Sequence, residues 1–245
     1  MCPHEQRDVR DWAVSLVRQQ PSSDGRGVAD QLHRLCGAVT VGLKLKGAAV
    51  TLKLIDGPEA AAAAFDATSR RLAELEFSVG EGPSHDAFVQ GRAVIVSELG
   101  GLQGGGWPGY TSAAQAEGLG AVFVFPLQLG ASRFGVLSLF NDETRRLDRD
   151  EMAKCLAMSD LATEMLLDSS VSTPDGEMDP DLKSALSFRS EIYQAQGMVM
   201  AALKIALPEA LARMRAHAFV AERHLIDVSV DIIEGRLQLT QDGPL

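Results

Sequence analysis

The chain has 245 residues, of which 46% are hydrophobic and 23% charged, a composition that can fill the core of one large or two modest domains. Its formal charge of -10 argues against a protein that binds nucleic acid over its whole surface, because phosphates are bound by basic side chains. No apolar run reaches the roughly 18 residues of a membrane span, and 3 cysteines are too few for a disulfide framework. The first residues include several acids, unlike a secretory signal, so we expect a cytoplasmic protein.

The first two thirds of the sequence predict a mixture of helices and strands. Helices are expected over residues 8–19 and 27–41, followed by a strand at 48–55 that the turn signal Asp56-Gly57-Pro58 ends. The apolar segment 60–65 is the expected partner strand, and helical patterns at 69–77 and 84–90 precede a strand at 93–96. Two stronger strands, 120–129 and 134–140, flank the hairpin signal Gly130-Ala131-Ser132, and a long helix is predicted over 148–167. This order is a meander with helices, not the strict alternation of a parallel nucleotide-binding fold.

The last third is predicted to be helical. Residues 168–181 are polar and contain Pro174, Gly176 and Pro180, as expected of a linker. Pro208 suits the first turn of a second helix over 208–222, and Gly235 ends a third. The first helix carries apolar residues at alternating spacings of three and four, which is typical of a coiled-coil seam, and its extra length predicts a dimer interface. The seam consists of Ala185, Phe188, Ile192, Ala195, Val199 and Ala202.

Charge is unevenly distributed along the chain. Residues 183–224 hold six basic and three acidic side chains, a formal charge of +3 on an otherwise acidic protein. This asymmetry permits RNA binding in the C-terminal part without establishing it.

The helical C-terminal part resembles an ANTAR domain, the RNA-binding output module of bacterial antiterminators, over residues 182–238. The resemblance is carried by Ile192-Tyr193-Gln194-Ala195-Gln196-Gly197-Met198-Val199-Met200, Pro208-Glu209-Ala210-Leu211, Arg213-Met214-Arg215-Ala216-His217-Ala218, Arg223-His224-Leu225 and Asp227-Val228. It departs from the family pattern at Gln196, where a lysine is usual, at Leu207, where a polar N-cap is usual, and at Ser229. The RNA-binding residues that the resemblance implies are Arg189, Gln196, Gly197, Arg213, Arg215, Ala218, Arg223 and His224.

Residues 26–167 resemble a GAF domain, a sensor module often fused to ANTAR. The resemblance is carried by Gly80-Glu81-Gly82-Pro83-Ser84, Gly91-Arg92-Ala93-Val94, Trp107-Pro108, Phe125-Pro126-Leu127 and Phe134-Gly135-Val136-Leu137. It implies an antiparallel sheet of about six strands with helices on one side and a ligand pocket on the other. We expect Phe77, Gly80, Ser84, Trp107 and Phe125 to line that pocket, whose ligand the resemblance does not identify. Many relatives carry cysteine where this chain has Ser84, so thiol chemistry is excluded there.

Two segments of the sensor region resemble catalytic motifs only superficially. Ser84-His85-Asp86 contains the residue types of a hydrolase triad, but adjacent side chains point apart, so a surface helix start capped by Ser84 is expected. The glycines at 80 and 82 indicate a tight turn and not a phosphate cradle, because Pro83 lacks an N–H and no Gly-Lys-Ser/Thr follows. We therefore predict no catalytic residue and no enzymatic activity.

The cysteines and histidines do not form a recognisable metal site. Cys2 and His4 supply two ligands where a tetrahedral site needs four. Cys36 and Cys155 lie beside leucines in helical patterns and are expected to pack as small apolar residues, with redox sensing as the alternative. No metal is predicted, and the cofactor, if any, is unknown.

The predicted fold class is α+β, a GAF-like antiparallel sheet with helices followed by an all-α three-helix bundle. The predicted parts are an N-terminal helix at 1–25 that contacts a dimer partner, a sensor domain at 26–167, a linker at 168–181 and an RNA-binding domain at 182–240. The resemblance implies a homodimer that senses a small molecule or other signal and binds tandem hairpin loops in nascent mRNA.

Other classes of protein remain as alternatives. The first is a ligand- or redox-sensing protein whose helical output binds DNA or a protein partner. A phosphorelay receiver fits less well, because no acidic pair precedes Asp56. A methionine sulfoxide reductase would need pocket cysteines, and the thiols lie outside the pocket loops.

Overall fold

The computed structural model describes residues 3–22, 27–53, 59–101, 106–171 and 189–240. The helices in these ranges are α1 (Pro3–Gln19), α2 (Val28–Gly42), α3 (Ala67–Val79), α4 (Pro83–Gln90), α5 (Pro108–Ala116), α6 (Arg149–Val171), α7 (Ser190–Leu203), α8 (Leu207–Val220) and α9 (Leu225–Ile233). The strands are β1 (Gly47–Lys53), β2 (Glu59–Ala64), β3 (Val94–Val96), β4 (Ala121–Leu129) and β5 (Ser132–Asn141). We call the part from α1 to α6 the sheet domain and the part from α7 to α9 the bundle.

The strands form one antiparallel sheet in the order β2-β1-β5-β4-β3. β4 and β5 are joined by the predicted hairpin, in which Leu129 pairs with Ser132. Gly130 takes a left-handed conformation with φ of 60°, which glycine adopts without steric cost. The predicted fold class is confirmed, although the described residues form five strands where the resemblance implied about six, and α5 was not predicted.

The sheet separates two hydrophobic cores because its side chains alternate between two faces. Along β4, Phe123, Phe125 and Leu127 face a core that α1, α2 and α6 cover. Val122 and Val124 face the opposite core, which lies beneath α3, α4 and α5. The sheet is therefore covered on both sides, and not on one side only as the resemblance implied.

The bundle has its own core. Ile192, Ala195 and Val199 of α7 pack there against Met214 of α8 and Val228 of α9. These three seam residues therefore pack inside their own bundle. Ala185 and Phe188, the linker from residue 172 onward and the predicted spare length of the first helix lie outside the described residues.

Two predicted boundaries also change. α6 runs to Val171 and not to residue 167, and α7 is described from Ser190. In the described ranges no single helix is long and apolar enough to cross a membrane, although α7 and α8, which are bent by 106°, pass the same test as a pair.

Candidate nucleic-acid interface

Phe77, at the end of α3, joins the sheet domain to the bundle. Its side chain is only 4% exposed and belongs to the bundle core. The guanidinium carbon of Arg189 lies 3.9 Å from the centre of the Phe77 ring, and that of Arg215 lies 5.0 Å away. Arg215 Nε also donates a hydrogen bond of 2.8 Å to the carbonyl oxygen of Phe77. Two of the predicted RNA-binding arginines therefore contact the sheet domain, where cation–π attraction and packing hold them.

A second contact joins the start of β2 to α7. The backbone N–H of Glu59 donates to the Tyr193 hydroxyl at 2.8 Å, and Arg189 Nη1 donates to the Glu59 carbonyl oxygen at 3.1 Å. The carboxylate of Glu59 accepts a hydrogen bond of 2.7 Å from the buried ammonium of Lys53. Burial in this contact raises the pKa of Tyr193, and burial beside Phe77 lowers the pKa of Arg215. The bundle is thus docked through backbone groups as well as through rings.

Gly80 allows Arg215 to approach the end of α3. It takes a left-handed conformation with φ of 87°, and a Cβ added there would lie 3.0 Å from Arg215 Cδ and Nη1. A side chain at this position would strain the backbone and push Arg215 aside. Gly80, predicted as a pocket residue, therefore contributes to the contact between the two parts.

The remaining predicted cations are more accessible. Arg223 and His224 are exposed and precede α9, and Arg213 is half-buried on α8. Arg223 Nη2 donates to Asp231 Oδ2 at 2.6 Å, and Arg213 Nη2 donates to Glu209 Oε1 at 3.0 Å. Each pair is partly open to solvent, where ion pairs contribute little stability, so an incoming phosphate can compete for the arginines.

Of the other three predicted RNA-binding residues, Gln196 and Ala218 are buried in the bundle and Gly197 is not needed for its packing. Gln196 is 8% exposed and its Nε2 donates to the Leu207 carbonyl oxygen at 2.7 Å, which fixes the turn between α7 and α8. Ala218 is 6% exposed in the bundle core. A Cβ added to Gly197 would meet no atom within 4 Å outside its own helix backbone, so helix packing does not require glycine there.

A groove that was not predicted from the sequence lies between α5 and α8. It has a volume of about 480 Å³, and Gly109 and Ala113 line one side while Ala212, Ala216 and Phe219 line the other. Phe219 is 78% exposed. Helical spacing could have indicated this, because Ala210, Met214 and Ala218 form the buried face of α8 and residue 219 falls off that face.

The sheet domain contains a buried polar cluster around Glu76. Ser84 donates two hydrogen bonds to its carboxylate, from the backbone N–H at 2.8 Å and from Oγ at 2.7 Å, and Ser138 Oγ lies 3.1 Å from Ser84 Oγ. Burial raises the pKa of Glu76 to about 7. The prediction that Ser84 caps a surface helix is therefore wrong: it is 5% exposed, and Gly82 is the N-cap residue of α4.

The predicted ligand-pocket residues are not brought together. Phe77 enters the bundle core and Gly80 contacts Arg215, whereas Ser84 binds Glu76. Trp107 packs beside the core under α5, and Phe125 lies across the sheet in the opposite core. The five residues therefore line no common cavity in the part of the chain that the structure describes.

Two cysteines lie in the described residues, and both are free thiols. Cys36 and Cys155 are fully buried as predicted, and burial raises the pKa of each to about 12. A thiol of such a pKa forms little thiolate at neutral pH, which argues against the redox alternative. Cys2 lies outside the described residues. The described residues also contain no group of three or more side chains that could hold a metal ion.

A known protein family matches the C-terminal part of the chain. The profile of the ANTAR domain family matches residues 181–233. No curated protein matches the chain.

Similar solved structures align mainly with the sheet domain. They include the GAF domain of an Acinetobacter phosphoenolpyruvate-protein phosphotransferase, 11% identical with a TM-score of 0.48 over 71% of this chain and 98% of that one. The GAF domain of the Coxiella burnetii phosphoenolpyruvate-protein phosphotransferase is 11% identical, with a TM-score of 0.49 over 69% and 96%. A phycocyanobilin-bound GAF domain of a cyanobacterial phytochrome is 12% identical, with a TM-score of 0.48 over 69% and 97%. At sequence identities of 11% and 12%, these proteins do not show which ligand or activity this chain has.

Proposed function

We propose that this chain, which carries an ANTAR domain at residues 181–233 behind a GAF-like sheet domain, is an RNA-binding regulator of transcription antitermination. The family match carries the proposal, because it spans all three bundle helices and each arginine predicted to bind RNA. The local charge of +3 in an acidic chain supports it. In this proposal the protein acts in the cytoplasm and has no catalytic role.

Hairpin loops are the RNA element that suits such a bundle. Their unstacked bases present edges and faces to a protein, whereas the deep groove of an RNA helix does not. Arginine neutralises phosphate and stacks on bases through its planar guanidinium. We propose that a homodimer holds two tandem hairpins in nascent mRNA and thereby prevents a competing terminator from forming. Two linked weak contacts gain affinity through effective concentration, which offsets the small number of cations.

The contact at Phe77 supplies a route by which a signal could control this activity. Arg189 and Arg215 are engaged by the sheet domain, so RNA gains these two contacts only when the bundle is displaced, whereas Arg223 and His224 are already exposed while it is docked. In the proposed mechanism a signal received by the sheet domain changes the docking of α3 against the bundle. That change shifts the population of chains whose arginines are free.

Electrophoretic mobility shift of the full chain with one-hairpin and two-hairpin RNAs tests the proposal. We expect the two-hairpin RNA to bind at least tenfold more tightly, and duplex DNA of equal length to compete poorly. Equal affinity for both RNAs would remove the dimer from the proposal. Binding to neither RNA, or displacement by duplex DNA, would overturn RNA recognition and favour the DNA- or protein-binding alternative.

A further inference from the structure

The groove between α5 and α8 differs in charge from the rest of the protein. Arg215, Arg223 and His224 line it, and none of the described residues lining it is acidic. The whole chain, by contrast, has a formal charge of -10. Two carboxylates bind residues of the lining: Asp231 accepts from Arg223, where a bound phosphate would compete with it, and Glu81 accepts from the backbone N–H of Gly109 at 2.6 Å. The groove therefore suits an anionic ligand.

The wall of the groove is apolar and ends in an aromatic ring. Ala212 and Ala216 precede Phe219 on one side of α8, at spacings that place all three on the same helical face. Phe219 is 78% exposed and the adjacent Val220 is 68% exposed. Large apolar side chains that are this accessible indicate a binding surface when they adjoin a polar rim. A flat, partly apolar ligand is what such a wall accommodates.

An unpaired nucleotide has both of these properties. Bases stack on aromatic side chains whatever their sequence, and the phosphate beside each base is drawn to arginine. We propose that the groove holds one unpaired nucleotide of the bound RNA loop, with its base on Phe219 and its phosphate at Arg223 and His224. This inference rests on the proposed function, to which it adds a stacking residue outside the set inferred from the family resemblance.

The test is the affinity of Phe219→Ala for a single RNA hairpin. Loss of one stacking contact should weaken binding by about 5- to 150-fold, and Phe219→Trp should retain it. Leu207→Ala is the matched control, because Leu207 is 46% exposed at the opposite end of α8 and lies outside the groove. The control should bind within twofold of the unchanged protein. Phe219 is exposed, so circular dichroism and the thermal midpoint of the variant should be unchanged.

Abasic nucleotides identify the stacked base. Each loop position is replaced in turn by an abasic nucleotide, and binding is measured with the unchanged protein and with Phe219→Ala. At one position the two losses should not add, because the base and the ring form the same contact. Losses that add at every position would overturn the inference.

The remaining outcomes separate this inference from the proposed function. If the unchanged protein binds the hairpin and Phe219→Ala binds equally well, the groove inference fails and the proposed function stands. If the unchanged protein binds no hairpin, both fail. Sedimentation provides the other control: if Phe219→Ala converts a dimer to a monomer, a second copy covers this face, and the inference is overturned.

Discussion

Glu76 and Phe77 are neighbours in helix α3, yet their side chains enter two different cores. Glu76 accepts hydrogen bonds from Ser84 inside the sheet domain, and Phe77 packs among the buried residues of the bundle. The two positions differ by about 100° around the helix, which directs one inward and the other outward.

Replacing Phe77 by alanine should undock the bundle. A buried phenylalanine contributes about 3–5 kcal/mol to stability, and its ring is the shared partner of Arg189 and Arg215. We expect faster tryptic cleavage after those two arginines, measured by mass spectrometry of timed digests. Phe88→Ala is the control, because Phe88 is buried under α4 and does not belong to the bundle core. Equal protection of both arginines in the two variants would contradict the docking role of Phe77.

Glu76 should make stability depend on pH. Its pKa rises from 4.5 to about 7 on folding because burial disfavours the carboxylate. The folded state therefore binds the proton more tightly, and this contribution is fully present below about pH 4.5 and is lost as the pH rises to about 7. The loss is on the order of 3 kcal/mol.

Glu76→Gln cannot ionise and keeps an acceptor for Ser84, so it should not show this loss. Urea unfolding at pH 5, 6, 7 and 8 measures the difference in stability between the variant and the unchanged protein, which should grow with pH. Glu74→Gln, half-buried on the same helix, is the control and should follow the unchanged protein. Parallel curves for Glu76→Gln would show that Glu76 does not titrate in this range.

Arg223 and Arg236 provide a matched pair for testing the RNA surface. Both hydrogen-bond to Asp231 at 2.6 Å, but only Arg223 lines the groove. Arg223→Glu should weaken hairpin binding by about tenfold or more, and the slope of log affinity against log salt concentration should fall by about one. Arg236→Glu should change the affinity much less. Filter binding between 50 and 200 mM salt measures both quantities. Similar losses in the two variants would indicate a general charge effect and not a site.

The buried cysteines should be unreactive in the folded protein. With a pKa of about 12, only about one thiol in ten thousand is ionised at pH 8, and the side chains are also inaccessible. In a Cys2→Ser background, a thiol reagent should label Cys36 and Cys155 only after denaturation. Rapid labelling of either cysteine in the native state would restore the redox alternative.

The sequence predicts elements better than it predicts contacts between them. The hairpin at Gly130 and the alternation along β4 follow from local pattern, because turn residues and a period of two act over a few positions. Arg189 was predicted to bind RNA from its position in a family pattern, and the pattern does not reveal that Phe77, more than a hundred residues earlier, covers it. The same applies to Ser84, whose partner Glu76 lies one turn and a glycine loop away.

The predicted ligand pocket illustrates the other limit. Phe125 and Ser84 belong to motifs of one family, but which face of the sheet each occupies depends on the strand register, and a shift of one residue exchanges the faces. Phe219 was overlooked for the opposite reason. Its exposure follows from the period of α8. In a helix rich in apolar residues, however, the sequence alone does not distinguish an exposed apolar side chain such as Phe219 from a buried one.

Docking of the bundle also shields an edge of the sheet. β2 is the outermost strand and consists of Glu59 and five alanines, a sequence with little bulk to keep another strand away. Tyr193 and Arg189 occupy the N–H and carbonyl groups of Glu59, and Arg70 covers the carbonyl of Ala61. A chain whose bundle has swung away would expose part of this edge to strand addition. A chain with an undocked bundle is therefore prone to aggregate through this edge. Undocking should accordingly be brief, or should coincide with RNA binding.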